Sequence, residues 1–98
     1  MAVRHVITIQ VAAGQAASFA SAFKALQALV QQEEGCEQYE LFQSLDAPDR
    51  LVILEQWASQ ETLEKHMEAE RNDYSSRVDA LVALWAPGVL PTVERFDV

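Results

Sequence analysis

The segment LVILEQW, residues 51–57, carries apolar side chains on both of its faces. Successive strand residues point to opposite sides, so Leu51, Ile53, Glu55 and Trp57 share one face while Val52 and Leu54 share the other. An antiparallel strand with one solvated face alternates apolar and polar residues instead. Both faces of the sheet that holds this strand therefore need cover, and a chain of 98 residues has few elements to supply it. For a mass of 10.9 kDa, area scaling gives about 5,600 Å² of folded surface against about 16,000 Å² unfolded, which fits one domain over residues 1–98 with a thin core. Helices can cover one sheet face. A second copy of the same sheet is the simplest cover for the other, so a homodimer is expected.

The rest of the chain supplies those helices. Residues 3–11 alternate, with Val3, His5, Ile7, Ile9 and Val11 on one face, as a strand does; Gly14 ends it. In residues 15–33, Phe19, Phe23, Leu26 and Val30 fall at helical spacing among good helix formers. Gly35 stands where a left-handed residue closes such a helix. Residues 37–44 and 51–57 read as a hairpin around the turn LDAPDR. Ser59 caps a helix with Glu61 in its first turn, Asn72-Asp73 breaks it, and a second stripe from Tyr74 through Val78, Leu81 and Val82 runs to Trp85 before Pro87-Gly88. VLPTVERFDV is a last strand, confined by Pro91 to an edge or a bulge. The order β-α-β-β-α-α-β is the split βαβ, ferredoxin-like arrangement, an α+β fold with an antiparallel sheet.

Charge and cysteine content exclude several functions. The net charge is −8 with only 7 Lys and Arg, scattered along the chain, which is no footprint for nucleic acid or an anionic membrane. Cys36 is alone, so no disulfide forms within the chain and no thiolate metal centre is available. No apolar run has the ~18 residues of a membrane span, and MAVRHVITIQV lacks a signal-peptide core. A cytoplasmic location is expected. Neither G-x-G-x-x-G nor G-x-x-x-x-G-K-[ST] occurs.

Gly35-Cys36 opening the second strand, Tyr39 within it, Glu55-x-Trp57 closing the third, and Leu63, His66 and Tyr74 beyond make a combination that resembles the antibiotic biosynthesis monooxygenase domain. Within it, the chain is most similar to the small bacterial quinol monooxygenases. The resemblance covers essentially the whole chain. It implies a dimeric α+β barrel, with a pocket in each subunit between sheet and helices. It also implies oxygenation of phenols, quinols or anthrones by molecular oxygen, with neither flavin nor metal. Relatives include isomerases and proteins with no known reaction, so an isomerase of a small hydroxyketone and a non-catalytic small-molecule binder remain alternatives. Haem-degrading relatives use an Asn on the first strand; here the only Asn is Asn72, and haem degradation is not expected.

Cofactor-free oxygenation needs a base to make a substrate anion, donors to hold it and an apolar wall to exclude water. His66, on the apolar stripe with Leu63 and Met67, is the candidate base, because imidazole as a class titrates near pKa ~6.5. The plainer alternative is a histidine that bonds a neighbour. Glu55 is a carboxylate on an apolar face and needs a partner. It is expected to orient His66 or to take the proton itself. Tyr74 is a candidate donor to the substrate oxygen, and Trp57, Tyr39 and Phe23 are candidate pocket walls, although each also reads as ordinary core. His5 with His66 and Glu55 could in principle make a two-His, one-carboxylate iron site, but no local ligand spacing supports it, and no metal is expected.

Overall fold

Strand β1 (Val3–Gln10), helix α1 (Ala16–Val30), strands β2 (Cys36–Gln43) and β3 (Arg50–Trp57), helices α2 (Gln60–Arg71) and α3 (Ser75–Val82) and strand β4 (Thr92–Asp97) follow one another in the computed structural model, which describes residues 1–98. The sheet order is β2-β3-β1-β4, antiparallel throughout. Each crossover passes over a central strand: β1-α1-β2 over β3, and β3-α2-α3-β4 over β1. That is the expected split βαβ arrangement. The accessible surface is 5858 Å², near the value that the mass predicts.

The register places Ile7 opposite Ile53, His5 opposite Glu55, and Tyr39 opposite Glu55 from the other side. These residues share the helix-covered face with Val3, Ile9, Leu51 and Trp57. Phe19, Phe23, Leu26 and Val30 of α1 are buried, as are Leu63 of α2 and Leu81 of α3. The only polar residues buried with them are Glu55 and His66. The opposite face, which includes Val6, Val52 and Leu54, has no helix over it. Its edge aromatics Phe42 and Phe96 are 45% and 46% exposed.

Helix α1 ends at Val30, short of the expected 33, because Gln32 and Glu33 bond back three residues to Leu29 and Val30 and tighten the chain into a turn. Gly35 follows that turn at φ +82°, and an added Cβ would lie 2.5 Å from the Thr62 side chain. The close approach joins the turn to the start of α2. There Ser59 accepts from the Thr62 amide and Thr62 Oγ1 accepts from the Ser59 amide, each at 3.2 Å. Trp85 also departs from the helical stripe. Helix α3 stops at Val82, and Trp85 instead bridges to Val11, which stands just outside β1. Strand β4 begins after Pro91, which has no amide to give to the ladder. No helix is long and apolar enough to cross a membrane.

Candidate active site

Between the inner sheet face and the helices lies a cavity of about 620 Å³. Ile7, Ile9 and Ile53 form its floor, Phe19, Met67, Val78 and Leu81 its walls, and Val82, Trp85, Leu90, Pro91 and Val93 its rim. Four of the lining residues are polar or titratable: His5, Tyr39, Glu55 and Glu70. Small-molecule sites have this size and character.

Two of the expected site residues, Glu55 and Tyr39, are in the wall. Glu55 Oε1 accepts from Trp57 Nε1 at 2.9 Å and stands 3.8 Å from His5 Nδ1. The strand period puts Glu55 and Trp57 on one face, and the antiparallel register brings His5 beside them. Tyr39 stacks on Phe23 with ring centroids 5.0 Å apart. Burial, and then the charges of Glu70, Glu55 and Glu33, push its phenol far above the ordinary range. Tyr39 is therefore a hydrogen-bond donor throughout the physiological range.

The other expected residues lie elsewhere. His66, Trp57 and Phe23 are at most 1% exposed and form the layer behind the wall; Phe19, one helical turn earlier, takes the lining position expected of Phe23. The His66 ring stacks on Trp57 at 4.5 Å and meets the Tyr39 edge at 5.7 Å. Its Nδ1 lies 3.0 Å from Glu33 Oε2, and its Nε2 lies 3.6 Å from Glu70 Oε1. The expected pairing of Glu55 with His66 is not formed, because Trp57 is interposed: its indole bonds Glu55 and its face packs on His66. Tyr74 sits at the N-cap of α3, outside the cavity wall. Desolvation and the Glu33 charge raise its phenol.

Glu33 and Glu70 are absent from the sequence-based candidates. Glu70 follows His66 by one helical turn, a signal that the sequence does carry; Glu33 lies in a turn and has none. Burial, opposed by His66, holds the Glu70 carboxyl above the usual carboxylate range; Glu55 and Glu33 add to the rise. The two histidines belong to separate carboxylate groups, His5 with Glu55 and His66 with Glu33 and Glu70. No three His, Cys, Asp or Glu side chains converge as a metal ligand set.

An antiparallel ferredoxin-like sheet with helices on one face and a mostly apolar cavity beneath them defines a small α+β protein built to enclose a small molecule. The chain belongs to the antibiotic biosynthesis monooxygenase family, whose model matches residues 2–71. A Caulobacter crescentus CB15 protein assigned by name to that family is 26% identical, with a TM-score of 0.86 over 99% of this chain and 89% of that one. A conserved protein from Methanosarcina mazei Go1 has the same fold, at 24% identity and TM-score 0.86 over 98% of this chain and 91% of that one. SnoaB of Streptomyces nogalater, a cofactor-independent oxygenase whose structure is that of a point mutant, shares the fold at 20% identity and TM-score 0.84, over 99% of this chain and 92% of that one. No curated protein matches significantly. Family membership supports a monooxygenase-type or small-molecule-binding role.

Proposed function

We propose that the protein is a cofactor-independent monooxygenase that oxidises a small aromatic quinol, phenol or anthrone with molecular oxygen. The observation that carries this reading is the His5–Glu55 pair, which places an acceptor for a proton in a mostly apolar cavity. The expected base, His66, is sealed behind the wall, so the group that meets the substrate proton is Glu55, held by Trp57 and backed by His5. Tyr39 donates to the developing oxyanion. Removal of the acidic proton by Glu55 leaves an anion that gives one electron to oxygen; the radical pair joins through a new C–O bond as a peroxide anion, and Glu55 returns the proton to make the hydroperoxide. Loss of the C–H proton from the carbon that bears the hydroperoxide, with cleavage of the O–O bond, then releases water and leaves a carbonyl. One oxygen atom ends in the product and one in water, and all the electrons come from the substrate. The apolar lining keeps bulk water from these intermediates. The fold shared with SnoaB, named as a cofactor-independent oxygenase, agrees with this chemistry.

Oxygen uptake against a panel of quinols, phenols and anthrones tests the reading. Uptake is expected with at least one class and is expected to survive exhaustive dialysis against a chelator. Turnover that chelation abolishes and iron restores, or that requires added flavin, defeats it.

The protein is further proposed to work as a cytoplasmic homodimer. The outer sheet face with Phe42 and Phe96 lacks any helix above it, and a second copy offers the matching surface. Light scattering at micromolar concentration is expected to return twice the 10.9 kDa chain mass; a stable folded monomer contradicts the dimer.

A further inference from the structure

The row Glu33–His66–Glu70 takes no part in proton abstraction by Glu55, although His66 is one of only two polar residues in the core. The His66 ring has no exposed surface, and each of its nitrogens faces a carboxylate. A neutral imidazole has one donor and one acceptor nitrogen. Nδ1, within hydrogen-bond reach of both Glu33 oxygens at 3.0 and 3.3 Å, is the donor. Nε2 is then a lone pair, and it is one of two buried side-chain polar atoms without a hydrogen-bond partner; the other is Arg4 Nε. Glu70 Oε1 stands 3.6 Å from it, one turn along the same helix, so a small rotation of the carboxyl brings them into contact. An ionised Glu70 has nothing to offer a lone pair. A protonated Glu70 supplies the missing donor.

We propose that Glu70 is stored protonated on the His66 Nε2 lone pair and serves as the general acid of the cavity, with Glu33 setting the His66 tautomer. The proposal rests on the oxygenation reading. Its geometry is independent of that reading: the Glu70 side chain lines the cavity and is 33% exposed, whereas Glu33, 17% exposed, is outside it. The groups around Glu70 come from several elements. Burial and the charges of Glu55 on β3 and Glu33 after α1 favour its neutral form, while a charged His66 and Arg71 on α2 oppose it. Tyr39 on β2 shares the cavity wall, and Asp79 and Ser75 on α3 share the outer groove beside it.

The step it serves is loss of water from the hydroperoxide. Glu70 gives its proton to the departing oxygen, which leaves with the O–O electron pair. Glu55 takes the proton from carbon, and the C–H pair becomes the second bond of the carbonyl. Glu55 then gives that proton up to water and Glu70 takes one back at the cavity mouth, which restores both carboxyls. His66 touches no reacting atom and is a positioning residue.

Infrared spectroscopy of the ligand-free wild-type protein at neutral pH is expected to show a protonated carboxyl band that is missing from Glu70→Gln. Nitrogen NMR is expected to show His66 protonated at Nδ1 and bare at Nε2. No such band, a band unchanged in Glu70→Gln, or a doubly protonated His66 overturns the proposal. In turnover, Glu70→Gln is expected to lower kcat by ~10²-fold with KM little changed. A general acid works only while protonated, so wild-type kcat should fall as pH rises through the raised Glu70 value. That alkaline fall should vanish in Glu70→Gln and move to lower pH in His66→Gln, a shift that a purely structural role would not produce. Wild-type kcat in Glu70→Gln overturns the acid role while oxygenation stands. No oxygen uptake by the wild-type protein across the panel overturns oxygenation and the acid role together, and the spectroscopic results then decide the stored proton alone.

Discussion

Glu55→Gln is expected to lower kcat for oxygen uptake by ~10²- to 10⁴-fold, the range for loss of a positioned base. The substitution isolates basicity. An amide oxygen still accepts from Trp57 Nε1, as Glu55 Oε1 does at 2.9 Å, so the strand face, the cavity volume and the fold remain. KM should change little, because the lost interaction belongs to the transition state. Oxygen-electrode traces with near-UV circular dichroism on the same samples check both halves. Near wild-type turnover would assign the proton to His5 or to the substrate's own ionisation.

The second large effect is on stability. Trp57 has no exposed surface, stacks on His66 and donates to Glu55. Trp57→Ala removes the ring, opens a cavity and leaves Glu55 without its indole partner, at an expected cost of about 3–5 kcal/mol. In a domain of this size each kcal/mol moves Tm by about 4–8 °C, so the midpoint should fall by at least roughly 12 °C. Trp57→Phe keeps a ring against His66 and should fall by less. Thermal melts of the pair measure the difference. Equal melting points for Trp57→Ala and wild type would mean that the buried cluster contributes nothing.

The strands were legible because period two is a strong signal where one face is buried. It put Glu55, Trp57, Leu51 and Ile53 together, and the structure agrees. The Ser59 cap and the break before α3 were legible because each depends on neighbours in sequence. The depth of a side chain was not. Nothing local says that Phe19 rather than Phe23 meets the cavity, since both lie on the buried stripe of α1. His66 points inward, as its stripe predicts, but it faces Trp57 rather than the cavity. That distinction depends on where α2 crosses the sheet. Glu33 depends on the turn after α1, whose shape follows from the meeting of Gly35 and Thr62 across sequence. Contacts of that kind leave no periodic trace.

The polar groups His5, Tyr39 and Glu55 stand on three neighbouring strands, fixed by ladder hydrogen bonds and by core on the same face. Much of the rim belongs to the irregular chain between α3 and β4, where Leu90 is 78% exposed and Val89 46%. On the proposed reading, proton transfer and substrate entry are thus encoded in largely separate stretches of gene. Drift in residues 83–91 reshapes the mouth of the cavity while His5, Tyr39, Glu55 and the core stay as they are. With the proposed chemistry, such a layout lets a lineage try new substrates without first losing its base, whereas a change on the central strands puts fold and site at risk together.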